Sequence, residues 1–135
     1  MTIAATPSTI VRDDGFHSDD SAAPIDVPGE AEASDLADHM QAPFIRIVFS
    51  GYADGRGFTL ARQLRRLGYT GRLRAAGLLI ADQYPLARKS GFDEVEPTPE
   101  ILARQPESQW IARAPKAAGP NRDYQSRLAA LSASA

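Results

Sequence analysis

The sequence predicts an α/β fold, a small parallel sheet built by strand–helix–strand–helix–strand connections within residues 43–112. Three observations carry that expectation. Short β-branched and aromatic runs alternate with segments of helical periodicity. Gly68 and Gly91 stand where left-handed C-caps belong. Pro85 and Pro99 stand where only the first turn of a helix accepts proline.

Taken in order, residues 1–42 hold few large apolar side chains and many Ala, Ser, Asp, Glu and Pro, which predicts a largely disordered, mobile segment. Two short strands are expected inside it, at Ser8–Val11 ahead of the Asp14-Gly15 turn and at Ile25–Val27. Ala31–Met40 has a weak helical pattern with Ser34 as its cap. Phe44–Phe49 follows Pro43 and is the first clear strand. The first helix spans Gly57–Leu67, with Phe58, Leu60, Ala61, Leu64 and Leu67 as its apolar stripe and Arg62, Gln63, Arg65 and Arg66 on the wet face.

Arg72–Ala76 reads as the second strand, ended by Gly77. Asp82 is expected to cap a second helix over Gln83–Ser90, with Leu86 and Ala87 facing inward and Arg88 and Lys89 suiting its C-terminal dipole. Gln83 reads as a surface residue. Asp93–Glu96 is the third strand, stopped by Pro97, and Thr98-Pro99-Glu100 opens a third helix that ends near Pro106. Trp110 and Ile111 are expected to pack down. Residues 113–135 read as a linker and a short terminal helix over Tyr124–Leu131.

Bulk properties narrow the function classes. The 135 residues suffice for one domain at most, and the net charge of −2 with a pI near 5.6 gives no global case for nucleic acid. Arg62, Arg65, Arg66, Arg72 and Arg74 lack interleaved aromatics, so they read as solvated surface and not as a nucleic-acid interface. No apolar run reaches the ~20 residues of a membrane span, and the first residues lack a basic and an apolar signal region, so no membrane partner and a cytoplasmic location are expected. There is no cysteine, and His17 and His39 are the only histidines. The chain thus supplies no thiolate for an iron–sulfur cluster or zinc site and no redox pair, and no metal or cofactor is expected.

Strand alternation predicts how the layers are arranged. Ile45, Ile47 and Phe49, then Leu73 and Ala75, then Val95 give one apolar face, while Arg46, Arg72, Arg74, Glu94 and Glu96 fall on the other. A parallel sheet covered by helices on both sides reads apolar on both faces. Both helices are therefore expected on one side, with strand order 1-2-3, like a sector cut from a β/α barrel. The second face is either an exposed Arg–Glu ladder contributing little, or it is covered by the N-terminal segment, a second copy or another protein.

In that arrangement the carboxyl ends of the strands meet at one edge, where ligands gather in parallel α/β folds. The turn Ala53-Asp54-Gly55-Arg56-Gly57-Phe58 stands there, followed by Gly77 and Asp82. Helix N-termini attract anions and glycines admit close approach, so Asp54, Gly55, Arg56 and Gly57 form the candidate site. Arg74, although mid-strand, is a candidate second cation, and Asp82 and Gln83 are further candidates. The alternative is a tight turn with no ligand, and for Asp82 a helix cap. The turn lacks the third glycine of a dinucleotide fingerprint, so no flavin or nicotinamide motif is read.

The blocks Phe49–Arg65, Gly68–Gly77, and Asp82-Gln83 with Ser90-Gly91-Phe92-Asp93 closely resemble the bacterial family named domain of unknown function 934, over roughly residues 43–97. Ser50 departs from the family's usual proline, and Ser90 departs from its usual cysteine before Gly-Phe-Asp. The family is commonly labelled an oxidoreductase of sulfite reduction because its genes lie beside those of sulfite reductase and phosphoadenylyl-sulfate reductase. The resemblance therefore implies a role in assimilatory sulfate reduction in a bacterial cytoplasm. It also implies sulfite reductase or another sulfur-assimilation enzyme as partner, with homo-oligomers a further expectation. Two functions are expected from this: an accessory protein that binds the reductase or its electron donor, or a small enzyme or binding protein for a sulfur oxyanion or phosphosulfate nucleotide.

Overall fold

The computed structural model of the chain describes residues 8–20, 22–51 and 55–115. Six strands and four α-helices follow in the order β1 (Thr9–Arg12), β2 (Gly15–Ser18), β3 (Ile25–Pro28), β4 (Phe44–Phe49), α1 (Arg56–Arg66), β5 (Arg72–Gly77), α2 (Tyr84–Ser90), β6 (Glu94–Pro97), α3 (Pro99–Arg104) and α4 (Glu107–Arg113). A 3-10 turn, Ala33–His39, joins β3 to β4, and another, Ala81–Gln83, runs into α2. They form one sheet in the order β2-β1-β6-β5-β4-β3. From β3 to β6 every pair is parallel, while β1 lies antiparallel to both β6 and β2.

The predicted βαβαβ unit is thus β4-α1-β5-α2-β6, with its three strands side by side. Register keeps the faces apart: Ile47 pairs with Ala75 and Ala75 with Val95, whereas Arg46 pairs with Arg74 and Arg74 with Glu94. Phe58, Ala61 and Leu64 of α1, Tyr84 and Ala87 of α2 and Trp110 of α4 join Ile45, Ile47, Phe49, Leu73, Ala75 and Val95 in a single core. All three helices therefore lie on the apolar face. Phe49, Phe58 and Phe92 stand at its centre, with ring centroids 4.9 to 6.3 Å apart in tilted and edge-on contacts.

Both helix ends close as the glycines require. Gly68 takes φ +100°, its N–H bonding to the Arg65 carbonyl and the Tyr69 N–H to Leu64. Gly91 takes φ +120°, with its N–H on Arg88 and that of Phe92 on Ala87. The paired bonds are those of a Schellman motif, which only a residue tolerant of positive φ completes cheaply.

The described part of the N-terminal segment adds strands to the sheet. Strands form where Ser8–Val11 and Ile25–Val27 were expected, and Gly15–Ser18 supplies another. Four acidic residues of this segment are ion-pair partners: Asp13 of Arg88, Asp19 of Arg74, Asp20 of Arg72 and Asp26 of Arg46. Composition did not reveal this, because the partners lie 20 to 75 residues away in sequence. β2 and β3 are the two edges of the sheet. The connection from Ser18 to Ile25 must cross it, and Asp19 and Asp20 lie on the charged face.

Five side-chain placements differ from the sequence reading. Leu67 is 60% exposed because it falls beyond the last turn of α1, beside Gly68. Leu86 and Ile111 are exposed, while Arg88 is buried in the place expected of an apolar residue. Asp13 makes that possible, meeting the Arg88 guanidinium with both carboxylate oxygens at 2.9 and 3.1 Å. Arg65 leaves the wet face to donate to the carbonyls of Gly91, Tyr69 and Gly71 and to Asp93, all at 2.9–3.0 Å.

Candidate functional site

The carboxyl edge of the parallel strands is drawn together by Gly77. Its φ is +108°, and a Cβ there would lie 2.3 Å from the Phe49 carbonyl oxygen. That carbonyl accepts the Leu78 N–H, and the Gly77 carbonyl accepts those of Leu79 and Thr98. Gly77 thus joins the ends of β4, β5 and β6, so its glycine character follows from backbone approach and needs no ligand.

The turn ahead of α1 divides by role. Asp54 lies outside the described residues. Gly55 is exposed with ordinary dihedrals, offers no side-chain cap, and has open space where a Cβ would stand. Arg56 is exposed at the first position of the helix. Gly57 is buried, and a Cβ on it would fall 2.3–2.9 Å from the Phe49 ring, which Phe58 and Phe92 hold in place. Gly57 is therefore a packing glycine. Beside this edge a cavity of about 490 Å³ opens at the ends of β5 and β6, lined by Ser8, Thr9, Gly77, Glu96, Pro97, Thr98, Pro99 and Leu102. Of the described sequence candidates only Gly77 lines it.

Arg74 is nowhere near the turn's outer surface. It is fully buried at the centre of the charged face, with its Nε 2.7 Å from Glu94, Nη1 2.8 Å from Glu96 and Nη2 3.6 Å from Asp19. The face is not an exposed ladder. Glu94, also fully buried, accepts from Arg12 at 3.1 Å, Arg72 at 2.9 Å and Arg74 at 2.7 Å. Arg46 bridges Glu96 and Asp26, and Arg72 reaches out to Asp20 at 2.7 Å. Arg72 and Arg74 both lie over the Phe44 ring, 4.3 and 4.7 Å from its centroid. Asp26 and Glu96 hold Arg46 above its usual pKa. Burial pushes the Asp20 carboxyl up, but the Ala22 N–H and the Arg72 guanidinium outweigh it and leave it below the usual range. Burying guanidinium groups demands ion pairing of this kind, and each of Arg72 and Arg74 has it with at least two carboxylates.

Asp82 does not cap α2. It sits exposed in the 3-10 turn, 2.6 Å from Arg113. Glutamines serve the backbone there instead: the Gln83 side-chain oxygen accepts the Ile80 N–H at 3.0 Å and that of Gln105 accepts the Ala81 N–H at 2.7 Å. Gln83 thus has a structural task that a surface reading missed, and Pro85 falls in the first turn of α2 as expected.

A second cluster that strand alternation did not predict joins the helices to the sheet. Asp93, 1% exposed, accepts from Arg65 and from the Leu73 N–H, each at 2.9 Å. Burial raises its carboxyl to about 6, although Arg65 and the Leu73 N–H pull the other way. Three residues earlier, the Ser90 hydroxyl is buried with no hydrogen-bond partner.

The predicted site residues are therefore not one constellation. Gly55, Arg56, Gly57 and Gly77 share the carboxyl edge, Asp82 and Gln83 belong to the start of α2, and Arg74 belongs to the interior. Among the described residues, no group of three or more His, Asp or Glu side chains is placed to hold a metal ion, and no helix is long and apolar enough to cross a membrane. What remains outward is a basic helical surface. Arg62 and Arg66 of α1 and Lys89 of α2 are exposed, with Leu67 and Leu86 beside them in sequence.

No curated protein and no solved structure matches the chain. Residues 25–128 match a family described as bacterial protein of unknown function, DUF934. The match starts at β3, earlier than the blocks around the turn suggested, and leaves the β1–β2 hairpin outside it. Over these 25–128 of its 135 residues, the chain belongs to the DUF934 family.

Proposed function

We propose that the protein is an accessory component of assimilatory sulfite reduction in the bacterial cytoplasm. It acts by binding sulfite reductase or an associated electron-transfer partner and carries no redox centre of its own. The observation that carries the docking half of this reading is the allocation of charge. Arg12, Arg46, Arg65, Arg72, Arg74 and Arg88 are consumed by internal ion pairs, while the outward side of α1 and α2 presents cations with exposed leucines among them. Such a surface suits a protein partner. The pathway half rests on the family resemblance, and the chain's lack of cysteine favours a binding role over an electron-carrying one.

The test is genetic. A deletion strain is grown on sulfate, sulfite, sulfide and cysteine as sole sulfur sources. Failure on sulfate and sulfite with rescue by sulfide is expected, and normal growth on all four removes the pathway assignment. The other reading, a small enzyme or binding protein for a sulfur oxyanion or phosphosulfate nucleotide at the Asp54-Gly55-Arg56-Gly57 turn, keeps Arg56 and the helix start but loses Arg74 as its second cation. Calorimetric titration with sulfite and sulfate, repeated on Arg56→Ala, separates it: binding lost in the variant would favour it over docking.

A further inference from the structure

Charge is segregated along this chain. Nine of its seventeen acidic residues lie before residue 43, where Arg12 is the only arginine or lysine. α1 and α2, in contrast, contain no carboxylate at all. Arg62 and Arg66 are one helical turn apart on α1 and both exposed. The Arg65 bond to the Gly91 carbonyl brings the C-terminal ends of α1 and α2 together, so Arg66, Leu67 and Lys89 share one end of the helical layer. Leu67 is 60% exposed and Leu86 39%. The surface thus combines apolar side chains with cations while the whole chain carries a net charge of −2.

We infer that the outer face of α1 and α2 is the docking surface, and that its partner is a protein presenting a carboxylate-rich surface. This rests on the accessory reading above and names the partner's chemistry. Two features favour a protein over nucleic acid. Three of the five arginines that first suggested a basic patch, Arg65, Arg72 and Arg74, are committed internally. The apolar residues on this face are leucines, which offer no ring for a base to stack on. Opposite charge steers encounter and sets salt dependence, and the exposed leucines supply the apolar contact.

The test uses the full chain, with poly-L-glutamate as the acidic probe and duplex DNA of matched charge as the competitor, both read by fluorescence anisotropy. Poly-L-glutamate should bind the wild type, about tenfold or more weaker in R62E/R66E/K89E, and weaken steeply between low and near-molar salt as the charges are screened. The neutral variant R62Q/R66Q/K89Q should fall between. Circular dichroism on each variant checks that the fold is kept. Equal binding by wild type and charge-reversed protein, or no binding at low salt, overturns the inference. Tighter binding of DNA than of poly-L-glutamate overturns it in favour of nucleic acid. Self-association of the wild type at low salt that the charge reversal abolishes reassigns the face to a second copy. If R62E/R66E/K89E still captures a sulfur-assimilation enzyme, the accessory function stands and this docking face is refuted. If poly-L-glutamate binds as expected and the deletion strain grows normally, the face stands and the pathway is refuted.

Discussion

Replacing Glu94 by glutamine tests how the charged sheet face is held. Glu94 is fully buried and accepts from the Nε atoms of Arg12, Arg72 and Arg74. Glutamine keeps the shape and one acceptor oxygen but removes the charge. Arg12 then loses its carboxylate, while Arg72 keeps Asp20 and Arg74 keeps Glu96 and Asp19. Removing one partner of a buried ion pair typically costs about 3–5 kcal/mol, a large fraction of the roughly 5–15 kcal/mol that holds a domain of this size. Equilibrium urea unfolding measures it, and a melting temperature lower by more than about 12 °C would accompany it. Asp82→Asn is the control. Its pair with Arg113 is exposed, so its loss should cost no more than about 1 kcal/mol. A Glu94→Gln cost as small as that of Asp82→Asn would refute the reasoning and return the face to a solvated ladder.

The other predictions follow the same geometry. The Asp93 carboxyl sits at about 6 in the fold against 3.8 ordinarily, so ionising it costs the folded state. Its contribution should therefore improve as pH falls from above 6 towards 4, by up to roughly 3 kcal/mol at 1.36 kcal/mol per pH unit. Wild type measured against Asp93→Asn by urea unfolding across that range should gain stability on acidification; a flat difference would contradict it. Gly57→Ala should destabilise by about 1–3 kcal/mol, because the new methyl meets a Phe49 ring that cannot retreat, whereas Gly55→Ala, with open space, should stay within about 0.5 kcal/mol. Thermal unfolding of the pair distinguishes a packing glycine from an exposed one, and equal effects would sink that distinction. Ser90→Ala or Ser90→Cys should stabilise by about 1 kcal/mol by removing a buried hydroxyl that has no partner; a loss of stability in both would show that the hydroxyl is satisfied.

The order of the parallel strands and the one-sided helices were legible because alternation puts every charged residue of β4, β5 and β6 on one face. Helix ends were legible through Gly68, Gly91, Pro85 and Pro99, each restricted by its own backbone chemistry. The ion pairs were not. Asp13, Asp19 and Asp20 look like solvated turn residues until β1 and β2 are laid beside β6, since their arginines come from distant elements. For the same reason Arg65 was assigned to the wet face and Arg88 only to the helix dipole, although their long stems bring their guanidinium groups to carbonyls and carboxylates. The candidate site was legible in location only. Spacing placed Gly55, Arg56, Gly57 and Gly77 at one strand edge, but the reason for Gly57 and Gly77 lies in Phe49, whose ring and carbonyl occupy the space their side chains would need.

The central claim is that this chain works by docking on an enzyme of sulfite reduction through its basic helical face. Affinity capture with tagged wild type and with R62E/R66E/K89E, from cells grown on sulfate, measures it directly by quantitative mass spectrometry of the bound fraction. The account predicts enrichment of sulfite reductase or its electron donor with the wild type, and at least a tenfold loss with the charge-reversed protein. Recovery of no sulfur-assimilation enzyme by the wild type would contradict it.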